Sequence, residues 1–240
     1  MDKKKPAPQI AVLIPAAGSS VRMGAGKNKQ FLKIGGIPVL AHTILVFRTM
    51  PEIDRIVVIL NPDEYQLFQD EIAEPFELTD VEIVAGGSDR QESVINGLRS
   101  LEDMDETSIL LVHDGARPLV TKEIIRANIH AVLENGAAVA AVPAANTVKV
   151  TDSEGFSIHT PDRNTLYEAQ TPQGFRIGLY RDAVEQAERE GFSGTDDVSL
   201  VERAGLPVKI SPGSRSNLKI TVPSDLKIAE ALSGTGKTKH

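Results

Sequence analysis

The sequence predicts one α/β domain in three layers, a mostly parallel sheet covered by helices on both faces. Three observations carry this expectation. Residues 10–14, 55–60 and 108–112 are continuous apolar, β-branched runs of the kind buried on both sides of a sheet. Amphipathic segments of helical period lie between them. A chain of 240 residues can bury one sizeable core, and its 41% hydrophobic and 25% charged residues are ordinary globular composition.

The elements follow in order. Residues 10–14 open the sheet. Residues 38–50 carry Val39, Leu40, Ile44, Val46 and Phe47 at helical spacing, and 55–60 (RIVVIL) is the next strand. Residues 63–73 read as helix, and 81–84 as a short strand ending in Ala85, Gly86 and Gly87. Residues 90–101 place Val94, Leu98 and Leu101 on one helical face, and 108–112 (SILLV) is a buried strand. A helix over 121–133 points Ile124, Ile125, Ile129 and Val132 inward and stops at Asn135-Gly136; 137–142 is a further strand. After Pro143 the pattern changes. Residues 147–151 alternate, Asp152-Ser153-Glu154-Gly155 is a turn, and 156–160 can return as a hairpin. A lone hairpin is marginal in water, so this arm is expected to pack on something, a second subunit being a good candidate. Helices over 176–190 and 196–204, strands over 208–210 and 217–222, and a closing helix over 223–232 complete the body. The expected limits are a single domain over 8–232, an arm over 144–170 and a disordered tail over 233–240.

Composition excludes several function classes. The net charge is −7, aromatic residues are 4% and tryptophan is absent, which argues against a nucleic-acid surface. Cysteine is absent, which removes disulfides, thiolate metal sites and a cysteine nucleophile and fits a reducing, cytoplasmic setting. No apolar run is long enough to span a bilayer, and MDKKKPAPQI has no apolar stretch of signal-peptide type behind its charges.

Five segments could carry chemistry. The first is Pro15-Ala16-Ala17-Gly18-Ser19-Ser20-Val21-Arg22-Met23-Gly24, directly after the first strand, with Lys27 and Lys29 close behind. Small residues let the backbone approach an anion, and this end of a strand is where open α/β sheets bind ligands. It is neither a dinucleotide fingerprint nor a Walker A loop; a loose Walker-type match at 231–238 lacks the strand such a loop requires. The second is His113-Asp114-Gly115-Ala116-Arg117-Pro118. Asp114 either caps the following turn or holds a cation or substrate hydroxyls, His113 reads as a packed strand-end residue, and Arg117 could be a salt-bridge partner. The third, Gly86 to Ser93, is a capped helix start or a backbone reader of base or ribose. In the fourth, Gly194-Thr195-Asp196-Asp197, Thr195 is the expected N-cap with acids in the first turn. The fifth, Ser216 to Thr221, sets Lys219 inside a strand pattern, facing a phosphate site or solvent. No Ser-His-Asp order and no HExxH stands out, and His42, His130, His159 and His240 lack metal-like spacing.

The ordered set PAAGSSVRMG, NKQF, GGSDRQESV, HDGARP, TPQGF, TDDVSLVE and NLKIT resembles the 2-C-methyl-D-erythritol 4-phosphate cytidylyltransferases, over about residues 10–232. Ribitol-5-phosphate cytidylyltransferases are the nearest lookalikes, and a catalytically silent nucleotide-binding regulator is the reading from another class. Asn28 departs from the proline many members carry there. The resemblance implies a Rossmann-like nucleotidyltransferase fold, CTP and a divalent cation such as Mg²⁺. It also implies a homodimer whose arm helps form the neighbour's site. By motif, Pro15, Ala16, Ala17, Gly18, Arg22 and Lys29 would line the triphosphate, and Gly87, Asp89 and Ser93 would meet the cytidine. Asp114, Ala116 and Arg117 would lie near ribose, metal and polyol, with Asp114 the metal ligand. Thr195, Asp196 and Asp197 would face the polyol, and Lys219 would reach the reacting phosphates. Arg22, Lys29 and Lys219 are thus the expected catalytic cations. Thr147 and Arg163 would hold the sugar phosphate of the opposite subunit.

Overall fold

The computed structural model describes residues 8–18 and 28–234. In chain order the strands and helices are β1 (Ile10–Pro15), β2 (Lys33–Ile34), β3 (Ile37–Pro38), α1 (Val39–Arg48), β4 (Arg55–Leu60), α2 (Tyr65–Phe68), β5 (Glu82–Ala85), α3 (Arg90–Arg99), β6 (Ile109–Val112), α4 (Lys122–Asn135), β7 (Ala137–Pro143), β8 (Val150–Thr151), β9 (Ser157–His159), β10 (Tyr167–Arg176), α5 (Ile177–Glu190), α6 (Val198–Arg203), β11 (Lys209–Pro212) and α7 (Pro223–Leu232). Seven strands form the central sheet in the order β11-β7-β10-β6-β1-β4-β5. β10 runs antiparallel to both its neighbours, and the other pairs are parallel.

Alternation along the buried strands makes two cores. Val12, Ile14, Val58, Leu60 and Leu111 point to one face, where Leu40, Ile44 and Phe47 of α1 and Ile125 and Val132 of α4 cover them. Ala11, Leu13, Val57, Ile59 and Leu110 point to the other, beneath Val94 and Leu98 of α3, Tyr180 and Val184 of α5 and Val201 of α6. Consecutive residues face opposite ways on a strand, so a sheet apolar at every position has two faces to bury. That is why its strands read as unbroken apolar runs. The loop after β1 and that after β6 leave the same end of the sheet, since both strands run in parallel.

Local signals set the helix ends. Asp89 accepts the Glu92 N–H at the start of α3, and Thr121 accepts the Ile124 N–H at the start of α4. Gly136, at φ +87°, ends α4 in a conformation that favours glycine.

Three expectations change. Strand β10 is not among the expected elements, and it carries Pro172, which cannot donate to a ladder. The sheet accommodates this proline where the pairing register with β7 shifts between Ala169 and Gln173. Residues 217–222 form no strand. They cross the sheet's carboxyl ends as an extended loop, fixed where the Ile220 N–H donates to the Ala116 carbonyl at 2.8 Å. A small cluster of Ile34, Val39, Ala116, Ile220 and Ala229 packs this loop between α7 and the β2–β3 ribbon. Third, Thr195 does not cap α6. Asp196 accepts the Ser199 N–H at 3.1 Å, and Gln173 Oε1 accepts those of Asp197 and Val198. The carboxylate and the carboxamide satisfy the donors that the hydroxyl was expected to take.

The hairpin is present as β8 and β9, paired only with each other. Its Phe156 and Ile158 are 67% and 62% exposed, and Val148, Val150 and Tyr167 are exposed as well. Residues 231–232 of the Walker-type match close helix α7, so no strand leads into it; its residues 235–238 lie outside the described residues, as do positions 235–240 of the expected tail.

Candidate active site

A cleft of about 490 Å³ opens at the carboxyl ends of β1, β4, β5 and β6. Pro15, Ala17 and Gly18 form one wall, Gly87, Ser88 and Asp89 another, and Asp114, Gly115 and Ala116 the floor; Lys29 and Lys219 also line it. The two glycine-rich walls touch: a side chain at Gly86 would run into Ala17. Arg22 and Lys27 lie outside the described residues. The ends of that segment are joined, because Asn28 Nδ2 donates to the Gly18 carbonyl at 3.1 Å and to Glu64 Oε2 at 3.2 Å. Gln30 reinforces this by donating to the Ala16 carbonyl at 3.2 Å. Asn28, at the position where the sequence departs from the family pattern, therefore ties Gly18 to Glu64 beside Lys29.

Asp114 is the charge centre. It is 7% exposed, yet three cations converge on it. Lys219 Nζ lies 3.0 Å from Oδ2, Arg117 Nε 3.3 Å from Oδ2, and Arg90 Nε 3.5 Å from Oδ1. Burial alone would raise the pKa of this carboxyl; Lys219, Arg90 and Arg117 outweigh it and hold the group well below the usual carboxylate range. A carboxylate has about four lone-pair sites; hydrogen bonds from Lys219 and Arg117 take two, and Arg90 stands at ion-pair distance, so Asp114 keeps lone-pair capacity for a metal. Among the described residues no cluster of three or more His, Asp or Glu is placed to hold an ion. That donor set fits Mg²⁺, which usually keeps water and substrate phosphate around one or two carboxylates.

The loop bearing Lys219 is pinned from below. Asn217 is fully buried; its Nδ2 donates to the Thr171 carbonyl at 2.8 Å, and its own carbonyl accepts Arg117 Nη1 at 2.8 Å. Thr171 Oγ1 accepts the Asp114 N–H at 3.1 Å and lies 3.0 Å from His113 Nδ1. The other ring nitrogen, Nε2, faces the Arg117 carbonyl at 3.2 Å, an acceptor only, so Nε2 carries the proton. His113 is fully buried against Phe47, and burial pushes its pKa down to about 4. It packs in the core, outside the cleft lining.

The remaining expected residues divide. Gly87, Asp89 and Ser93 line the cleft, and Ser93 Oγ knits their loop by accepting the Gly87 N–H and donating to the Asp89 carbonyl. Ala16 is buried just beneath the cleft wall. Arg117 is half-buried beside Asp114 as a salt-bridge partner, outside the cleft lining. Thr195, Asp196 and Asp197 also lie outside the lining; Asp197 reaches the site through Arg90, whose Nη2 is 2.7 Å from its Oδ2. Thr147 and Arg163 sit on the arm, outside this cleft. Sequence reasoning missed Arg90, Thr171, Gln173 and Asn217. Arg90 did leave a signal: a cation in the first turn of a helix runs against the helix dipole.

The match to known proteins spans the chain. The family model for 2-C-methyl-D-erythritol 4-phosphate cytidylyltransferase matches residues 10–234. The chain belongs to this family. The enzyme of that name from Geobacter metallireducens is 47% identical over 225 residues, covering 93% of this chain and 97% of the relative. That from Syntrophus aciditrophicus is 44% identical over 226 residues, covering 94% and 96%. The structure of 4-diphosphocytidyl-2C-methyl-D-erythritol synthase from Anaerococcus prevotii superposes with a TM-score of 0.84 at 32% identity, over 95% of this chain and 96% of that one. The fold is thus the Rossmann-like nucleotidyltransferase fold expected from the motifs, with β10 as its antiparallel strand.

In this family member the neutral, buried His113 couples stability to pH. Its folded pKa lies below the 6.5 of an exposed histidine, so the unfolded chain takes the proton first. The stability it supports is complete above pH 6.5 and is lost as pH falls from 6.5 towards 4. Urea unfolding of the protein and of His113→Asn at pH 7, 6, 5 and 4.5 measures this. The wild-type stability should fall more steeply than the variant's, by up to about 1.4 kcal/mol per pH unit. Parallel profiles would show that His113 is not held neutral.

Proposed function

We propose that this protein transfers the CMP group of CTP to 2-C-methyl-D-erythritol 4-phosphate, giving 4-diphosphocytidyl-2-C-methyl-D-erythritol and pyrophosphate, in isoprenoid precursor biosynthesis. Family membership supports the substrates. The observation that supports the chemistry is the cleft lined by Lys29 and Lys219, with Lys219 held 3.0 Å from a buried Asp114.

In the proposed reaction a phosphate oxygen of the polyol phosphate attacks the α-phosphorus of CTP. The new P–O bond forms as the bond to the bridging oxygen of pyrophosphate breaks, and that oxygen keeps the electron pair. A phosphomonoester has a second pKa of about 6, so the nucleophile is already largely a dianion at neutral pH. No proton has to be removed, and the sealed His113 is consistent with that. What the reaction needs is alignment and fixed positive charge. Pro15, Ala16, Ala17, Gly18, Arg22 and Lys29 take the triphosphate; Gly87, Asp89 and Ser93 take the cytidine. Lys219 is placed over the reacting phosphates. Asp114 and Ala116 sit nearest ribose and polyol, with Thr195, Asp196 and Asp197 on the polyol side behind Arg90; Arg117 supports Asp114 from beneath. Mg²⁺, held by Asp114 and the substrate phosphates, would neutralise charge on the phosphate oxygens.

We further infer a homodimer. Phe156, Ile158, Val148 and Val150 of the arm are apolar side chains that the described residues leave exposed. Seated on a second copy, the arm would bring Thr147 and Arg163 to the partner's polyol phosphate. We place the enzyme in the cytoplasm, with CTP and the polyol phosphate as its partners and neither nucleic acid nor membrane among them.

Pyrophosphate release tests the reaction: the protein with Mg²⁺, each of the four NTPs and either methylerythritol 4-phosphate or ribitol 5-phosphate. Release should require CTP and the methylerythritol phosphate. A preference for ribitol phosphate would replace the acceptor, and CTP binding without turnover would favour a regulator. In the same assay Lys29→Ala and Lys219→Ala should each lower kcat/KM at least about a hundredfold, or roughly 2.7 kcal/mol of transition-state stabilisation. A loss below threefold removes that lysine from the mechanism. Shared sites are checked by reassociating Lys29→Ala with Arg163→Ala subunits. Each mixed dimer should regain one active site; mixed dimers that form and stay inactive contradict the arm's role.

A further inference from the structure

Arg90 occupies an unfavourable place for a cation. It is the first residue of α3, where the aligned backbone N–H groups already present partial positive charge. Two buried carboxylates hold it there. Arg90 Nη2 is 2.7 Å from Asp197 Oδ2, and its Nε is 3.5 Å from Asp114 Oδ1. Asp197 is itself immobilised. It is 2% exposed, its Oδ1 accepts the Tyr180 hydroxyl at 3.1 Å, and its N–H donates to Gln173 Oε1 at 2.9 Å. Tyr180 is stacked on Phe175 at 4.4 Å between ring centres. A rigid line thus runs from the core of the second face, through Tyr180, Asp197 and Arg90, to Asp114 and Lys219.

The two oxygens of Asp114 are divided along this line. Oδ2 faces Lys219 and Arg117, and Oδ1 faces Arg90. A carboxylate held on one oxygen only can turn about its Cβ–Cγ bond. Held on both, it fixes the direction in which Lys219 is offered to the cleft. A planar guanidinium can meet two carboxylates at once, whereas an ammonium is a single point charge.

We propose that Arg90 is a positioning residue for the transfer, clamping Asp114 from the side opposite Lys219 and so aligning Lys219 with the reacting phosphates. This rests on Lys219 acting in the reaction proposed above. Arg90 itself lines the cleft beside Asp89, but the action proposed for it runs through Asp114, so its loss should appear in kcat, with KM for CTP little changed.

A kinetic double-mutant cycle between Arg90→Lys and Lys219→Ala tests this. In the wild-type background Arg90→Lys should lower kcat at least tenfold, with KM for CTP within threefold. In the Lys219→Ala background the same change should cost less than twofold, because the group it positions has gone. A loss in kcat below threefold in the wild-type background, or the same loss in both backgrounds, overturns the proposal. If Arg90→Lys does not fold, as judged by circular dichroism, Tyr180→Phe takes its place. That variant removes only the hydroxyl anchoring Asp197, and should lower kcat about threefold in the wild-type background and not in Lys219→Ala; equal effects in both, or none in either, overturn the proposal. Failure of the underlying reaction is seen separately, as no CTP-dependent pyrophosphate release by wild type or no effect of Lys219→Ala alone.

Discussion

One buried carboxylate organises this molecule's functional end. Asp114 is placed where burial should neutralise it, and three cations keep it ionised. An isolated charge so placed would cost several kcal/mol, so Asp114 and its cations are interdependent. Each cation comes from a different part of the chain: Arg90 from the start of α3, Arg117 from the loop after β6, Lys219 from the loop before α7. The carboxylate therefore fixes three segments relative to one another and leaves an excess of positive charge at the cleft. That suits a reaction whose reactants are both anionic and whose nucleophile needs no base.

The sheet explains why these segments meet. Parallel β1, β4, β5 and β6 deliver their following loops to one edge, and two of those loops are small enough to touch at Gly86 and Ala17. The antiparallel β10 supplies what the parallel strands cannot. It crosses the middle of the sheet and places polar Thr171 and Gln173 beneath the site. Thr171 supports Asp114 and His113, and Gln173 closes the start of α6 beside Asp197. The core thus carries hydrogen-bonded polar side chains under the cleft, and they tie the loops above to β10.

The fold's body was legible because its signals are local. Apolar runs such as RIVVIL fit a strand buried on both faces, and capping residues such as Thr121 mark helix starts within a few positions. The cleft-lining residues Gly87, Asp114 and Lys219 were legible through their motifs. What was not legible depends on distant contacts. YEAQTPQGFR carries a proline inside it and becomes a strand where β6 and β7 pair with it on either side. NLKIT has strand-like alternation, but Asn217 is tied to Thr171 and Ile220 to Ala116, and no strand lies beside it. Thr195 has the chemistry of a cap, yet Asp196 and Gln173 reach the free donors instead. Arg90 was overlooked since both its carboxylate partners lie far away in sequence.

Asp114→Asn tests the central claim most directly, because it keeps the side chain's size and removes its charge. The measurement is kcat/KM for CTP-dependent transfer together with the urea unfolding midpoint. If Asp114 holds the three cations in place, kcat/KM falls at least about a hundredfold and the midpoint drops, since Lys219, Arg90 and Arg117 then face one another without their shared counter-ion. A variant within threefold of wild type in kcat/KM, with an unchanged midpoint, would contradict the account.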